Sequence, residues 1–295
     1  MPVWNGEQYL RAAIESILTQ TFSDFEFLII DDGSTDETPQ ILAEYAIKDP
    51  RIRIIRIEHS GIVRALNLGV AEARADWIAR MDCDDISHPS RLVRQWHAVQ
   101  RSPGAVFCHC HRVIIGAPEW VTPVGHFIRT KALLALRLCF QCPIVHPTVI
   151  FHKATFLECG GYDESEEYAE DYGLWGRLLM KGEVAGVAEP LLDFRVHQAS
   201  VSKQMSHEQQ RITEGVALRH FKCFMDLDEE SAARAYKVFR MDLCRRPVIE
   251  LFWFLACCLP RMRWQSVEMW VWAARYTSRR LLQVAFHEGE TQRQS

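Results

Sequence analysis

The chain has 295 residues, 48% of them hydrophobic, a formal net charge of −4 and a pI near 6.3. That supports a sizeable core, one large domain and an appendage, and it excludes the basic balance expected of a nucleic-acid binder. The amino terminus, MPVWNGEQYL, lacks the cationic start and apolar run of a signal peptide. The longest apolar stretch, residues 251–259, falls well short of the roughly 20 residues that span a bilayer, so a cytoplasmic location is expected, with the ten cysteines as thiols.

Leu10, Ala13, Ile14, Ile17 and Leu18 follow helical spacing and predict an amphipathic helix. FEFLII at 25–30 is a nearly continuous apolar run, the pattern of a strand covered on both faces. It ends in Asp31-Asp32-Gly33-Ser34, and Thr38-Pro39 then reads as N-cap and first position of a second helix. IRIIRI at 52–57 is a further strand, and residues 60–74 read as a helix through Val63, Leu66, Val70 and Ala73. Trp77 to Met81 is another strand, followed by Asp82-Cys83-Asp84-Asp85, and Ser90 opens the next helix. Alternation of this kind predicts an α/β fold, a Rossmann-like parallel sheet with helices on both faces. Ligands in such sheets bind beyond the carboxyl ends of the strands. Both acidic clusters fall there, so they are expected on one edge. Ordinary turn and cap chemistry also favours aspartate at such places, but it does not call for three acids in four residues.

Cys108-His109-Cys110-His111 and Cys139-Phe140-Gln141-Cys142 raise the question of a metal. Strand alternation puts the first pair of cysteines on one face and the histidines on the other. The chain has a single CxxC without a second pair at zinc-finger spacing, so thiols are expected. From residue 140 the texture changes. HPTVIFHK at 146–153 reads as a strand, Gly160-Gly161 breaks the chain, and Glu170-Asp171 precedes a helical run through Leu174, Trp175, Leu178 and Leu179. Near Ser206, which with Gln209 forms a capping box, the pattern turns helical. This divides the chain into residues 1–205 and a helical region, 206–295. Within the latter, residues 245–283 hold seven arginines, no lysine and two acids, a local +5, interleaved with Trp253, Trp264, Trp270 and Trp272. Two readings stay open: a helical subdomain packed on the core, or a peripheral contact with anionic membrane.

Clustered carboxylates repel one another, and a divalent cation such as Mg2+ or Mn2+ relieves them while sharing its remaining positions with phosphates. Neither the Walker loop nor the dinucleotide fingerprint is present. That argues against P-loop NTPases and nicotinamide enzymes.

The segments PVWNGEQYLRAAIESILTQTFSDFEFLIIDDGSTDET, ALNLGVAEARADWIARMDCDDISHPSRL, EYAEDYGLWGRLL and FRVHQASVS, in that order over residues 2–205, resemble the family 2 glycosyltransferases. The resemblance implies the GT-A fold, an inverting mechanism, a nucleotide-diphosphate-sugar donor and a divalent metal. Asp32, beside Asp31, resembles the carboxylate that accepts from the N–H of the nucleobase. Asp82-Cys83-Asp84 resembles the D-x-D motif, with Asp84 as metal ligand and Asp82 near the ribose or a metal-bound water. Asp171 resembles the catalytic base, although an N-cap role at its helix also fits. His197 resembles a histidine that in some relatives reaches the metal or diphosphate. The expected acceptor is a hydroxyl of a glycan or lipid-linked acceptor. The family's first strand is nearly absent here, which leaves open a longer natural chain or a compromised one. A nucleotide-sugar-binding scaffold and a metal-dependent nucleotide-sugar hydrolase stand as alternatives.

Overall fold

The computed structural model describes residues 1–116, 127–128, 130–197, 207–240, 258–263, 265, 269–270 and 273. The chain divides into two compact units, Met1–Phe127 with Ile144–Ile212, and Ile128–Pro143 with Thr213–Ser295.

In the first unit, β1 (Pro2–Val3), β2 (Phe27–Asp32) and β3 (Ile52–Ile57) form a parallel sheet in that order. All six residues of β2 are buried because both its faces are covered. Phe27 and Ile29 pack on one side with Leu10, Ala13, Ile14 and Ile17 of α1 (Leu10–Leu18) and with Ile41, Leu42 and Tyr45 of α2 (Thr38–Lys48). Leu28 and Ile30 face the other side, where Ala65 and Leu68 of α3 (Ile62–Glu72) cover them. The continuous apolar run FLII is the sequence trace of this two-sided burial.

The second sheet runs β4 (Trp77–Ala79), β7 (Val149–His152), β6 (Ala105–Ile115), β8 (Glu183–Arg195), β5 (Ile86–Ser87). Only β6 and β8 are parallel, and the other pairs are antiparallel. α4 (Arg91–Gln100) covers it through Ala98 and Val99. α7 (Glu170–Lys181) adds Trp175, whose ring stacks 5.8 Å from Phe107. Strand–helix alternation thus holds, but the expected single parallel sheet is realised as two. β1 reaches only Ile30 and Asp31 of β2, so no ladder joins β2 to β4. Between those two strands lies an apolar cavity of about 360 Å³, lined among others by Leu28, Ile30, Ala65, Ile78, Arg80 and Phe151.

The Gly160-Gly161 break ends α6 (Lys153–Glu158). Gly161 has φ +69°, and a Cβ there would meet the Asn67 side chain at 2.8 Å, so glycine is required on both counts. Asn67 fixes this turn by accepting from Tyr162 N and donating to Tyr162 O, both at 2.9 Å.

The second unit contains α5 (Lys131–Leu138), α8 (Thr213 onward within His207–Met225) and α9 (Glu229–Arg240). His220 Nδ1 lies 2.8 Å from the Leu138 carbonyl, and Phe140 packs edge-on against Phe221. No helix among the described residues is long and apolar enough to cross a membrane. Ser206 of the predicted capping box and most of the basic segment 245–283 lie outside the described residues.

Candidate active site

Asp31 and Asp32 close β2, 1% and 3% exposed. Asp31 Oδ1 accepts from Ser34 N at 3.0 Å, and its other oxygen faces Arg56 at 3.6 Å. The turn between them depends on Gly33, at φ +73°, where a Cβ would sit 2.7 Å from the backbone nitrogen of His59. Both oxygens of Asp32 are engaged by the segment that leads into α3. Ser60 donates its N–H at 2.8 Å and its hydroxyl at 3.1 Å, and Gly61 N donates at 3.0 Å. His59 Nδ1 lies 2.9 Å away. Asp32 therefore anchors the 59–61 loop. Above that loop Trp4, 54% exposed, stacks on His59 at 4.5 Å between ring centroids.

The predicted cap at Thr38 is not made. Glu37 occupies the N-cap position without a side-chain bond, while the Thr38 hydroxyl accepts from Gly6 N at 2.9 Å. Asp36 takes over, accepting from Thr38 N and Glu7 N at 3.0 Å each. The side chain is diverted because residues 4–7 need it: Asn5 N also donates to Ser34 Oγ at 3.0 Å. On its other side Gly6 packs closely on Cys83: a Cβ there would sit 3.3 Å from the sulfur and only 2.8 Å from Val3 Cγ2. One loop thus touches both acidic segments.

Asp82, Asp84 and Asp85 each offer a carboxylate oxygen, and these atoms lie within 4.8 Å of one another. This is the only such group of acids, histidines and cysteines among the described residues. Asp84 Oδ2 is 2.9 Å from His197 Nε2, so the structure brings together the D-x-D motif and a histidine 113 positions away. Arg195, at the end of β8, donates its N–H to Asp85 Oδ1 and its Nε to the Asp84 carbonyl, both at 2.8 Å. Asp82 pairs with the buried Arg80. Arg91, fully buried, donates to the Arg80 carbonyl at 2.7 Å and to Gln95 at 3.1 Å. Gln95 in turn donates to the Thr148 carbonyl at 2.8 Å, tying the acidic loop to the second sheet.

Burial and the neighbouring Asp82 charge raise the carboxyls of both Asp84 and Asp85, the latter to about 8. Asp85 Oδ2 is buried and has no hydrogen-bond partner among the described residues. A cluster that resists its own ionisation and keeps an unsatisfied oxygen has the donor set of a hard divalent cation. The cysteines do not contribute to it. Burial pushes Cys83 and Cys108 to about 12 and Cys110 to about 11, and all eight described cysteines are free thiols. The alternation predicted on β6 is visible in part: Cys108 and Cys110 point into the core, while His109 and His111 both pack on Phe127.

Glu170 and Asp171 begin α7 as its first two residues, behind an N-cap at Ala169. The N-cap reading of Asp171 is thereby excluded by position, and its Oδ1 accepts from the adjacent Tyr172 N at 2.6 Å. Glu170 is buried beside His146, with 3.8 Å between its Oε1 and His146 Nδ1, and burial and Asp171 push its carboxyl to about 7.

The family model for glycosyl transferase family 2 matches residues 1–159. The O-antigen biosynthesis glycosyltransferase WbnJ of Escherichia coli is 32% identical over 213 residues, covering 69% of this chain and 80% of WbnJ. The chain belongs to glycosyl transferase family 2. This glycosyltransferase is also 30% identical over 315 residues to the bifunctional glycosyltransferase pgtA of Dictyostelium discoideum, covering 92% of its own length but only 40% of pgtA. Its fold is GT-A. The S. aureus TarS structure in complex with UDP-GlcNAc superimposes with a TM-score of 0.65 at 15% identity, covering 85% of this chain and 78% of that one. The Pyrobaculum calidifontis mannosyltransferase PcManGT, in complex with GDP-Man and Mn2+, gives 0.53 at 17% identity, covering 95% and 79%.

Sequence reasoning missed Arg80, Arg195, the Trp4–His59 stack and His146. Arg80 had a signal, a lone cation inside the apolar run WIARM. The others come from distant segments, and no local pattern pairs them.

Proposed function

We propose that this glycosyltransferase moves a sugar, with inversion, from a nucleotide-diphosphate-sugar to a hydroxyl of a glycan or lipid-linked acceptor, assisted by Mg2+ or Mn2+. The observation that carries this reading is the trio Asp82, Asp84 and Asp85, gathered within 4.8 Å with His197 on Asp84. Asp84 and Asp85 would hold the cation, with Asp82 and His197 beside them. When bound, it would neutralise charge developing on the leaving diphosphate. The protein's own residues do the rest. Arg80 fixes the Asp82 carboxylate and the Arg195 backbone N–H fixes that of Asp85, so that little reorganisation accompanies binding. Asp31 and Asp32 shape the nucleoside end. Asp32 acts by holding the 59–61 loop, and Trp4 offers an exposed indole face to a base. Asp171 receives the proton of the acceptor hydroxyl as its oxygen attacks the anomeric carbon opposite the nucleotide. One carboxylate base suffices, because the leaving diphosphate needs charge neutralisation rather than a proton.

The test is transfer by the purified chain across a panel of nucleotide sugars and glycan acceptors, with the anomeric configuration of the product read by NMR. Inversion is expected. Retention, or release of free sugar alone in the presence of every acceptor, contradicts the proposal.

A further inference from the structure

Glu170 has no part in the chemistry above, yet the fold spends four buried groups on it. Its carboxyl sits at the first position of α7, 9% exposed at the side chain, and Oε2 has no hydrogen-bond partner among the described residues. His146, on the 3-10 turn His146–Thr148, faces Oε1 at 3.8 Å through Nδ1 and meets the Tyr162 hydroxyl at 2.7 Å through Nε2. Burial and the nearby Arg80 cation hold His146 well below its ordinary value, so it stays neutral and brings no counter-charge. Burial raises the Tyr162 hydroxyl, which stays protonated. From the acidic loop, Arg80 and Asp82 act on Glu170 with opposite sign, and on its own helix Asp171 adds a like charge. Trp175 closes the pocket edge-on against His146.

We propose that Glu170 is a positioning residue for Asp171: the adjacent pair carries one negative charge while Glu170 keeps its proton, and loss of that proton to solvent strengthens Asp171 as a base. This rests on the reading of Asp171 as the base. Geometry motivates it. A buried carboxyl with one oxygen unpartnered among the described residues, a neutral imidazole facing the other, and its own backbone N–H and the Arg80 charge as the favourable contributions is still poorly solvated as an anion. Its ionisation therefore falls in the neutral range, and the new charge lies directly beside Asp171. Two acids coupled in this way titrate as a pair.

The experiment uses the full chain. Donor-to-acceptor kcat and donor KM are measured between pH 5 and 9 for the wild type, Glu170→Gln, Glu170→Asp and Asp171→Asn. In parallel, the wild type carrying 13C-carboxyl glutamate is titrated by NMR. The wild type should show kcat rising through about pH 7. Glu170→Gln should remain on the low-pH plateau, roughly three- to tenfold below wild type at pH 8 with donor KM unchanged, and Glu170→Asp should recover the rise in part. The NMR titration should find one glutamate ionising near neutrality. An unaltered rise in Glu170→Gln, or a titration in which every glutamate is already ionised by about pH 6, overturns the proposal, and the second result does so even if Glu170→Gln fails to fold. Asp171→Asn separates the two claims: full transfer by that variant refutes the base reading while leaving the Glu170 titration to be read by itself.

Discussion

Asp84 and Asp85 are neighbours in sequence with different obligations. Asp85 is held by a backbone N–H of β8 and keeps one oxygen unsatisfied among the described residues, whereas Asp84 faces His197 and is more open. On the proposed reading Asp84→Ala removes a cation ligand, together with one partly exposed side-chain contact, that with His197. It is expected to abolish metal-dependent donor turnover while leaving the melting temperature within a few degrees, as is usual for a partly exposed position. Circular dichroism melting and a nucleoside-diphosphate release assay check the two halves. Asp171→Asn should keep donor affinity and lose roughly two to four orders of magnitude in transfer, the share typical of a general base. Isothermal calorimetry with the donor, beside the transfer assay, separates this from a structural role, in which affinity and melting temperature fall together.

At the level of elements, legibility followed locality. The α1 stripe, the doubly buried β2 and the acidic turns were readable because each is a run of neighbours whose periodicity matches its surroundings. Thr38 was misread as a cap because its hydroxyl serves Gly6 in a loop more than 30 positions away. The division into two sheets was equally hidden, since β4 and β7 are separated by some 70 residues and nothing in WIA announces an antiparallel partner. His197 could be named from its motif, but its contact with Asp84 is a fact of β8 register against β5, where Ile86 faces Asp193. The DDGS turn gives a test at this scale. Gly33→Ala forces a left-handed backbone and a clash with His59, and it should cost roughly 1–3 kcal/mol. Chemical denaturation measures the loss, which an unstrained turn would not show. Ile29→Ala, emptying the fully buried centre of β2, should cost about 2–5 kcal/mol by the same measurement.

For the molecule as a whole, two buried carboxyls, Asp85 of the acidic cluster and Glu170 of α7, link stability to pH. Asp85 and Glu170 are raised in the fold to about 8 and about 7, so between their unfolded values near 4 and these values the native state binds more protons than the unfolded one. That contribution is fully present below about pH 4 and is lost as pH rises through 7 to 8. Without divalent metal, melting temperature should therefore fall between about pH 5 and 8. On the proposed reading, Mn2+ held by the cluster would favour its ionised form, so its stabilising increment should grow over the same interval. Scanning calorimetry at matched ionic strength with and without Mn2+ tests the sign, and an increment larger at pH 5 than at pH 8 contradicts it. The measurement that bears most directly on the central claim is nucleoside-diphosphate release from a panel of nucleotide sugars by the purified chain with acceptor, in Mn2+ and in EDTA. The account predicts turnover of at least one donor in Mn2+, near-complete loss in EDTA and the same loss in Asp84→Ala. Undiminished turnover in EDTA, or in Asp84→Ala, would contradict it.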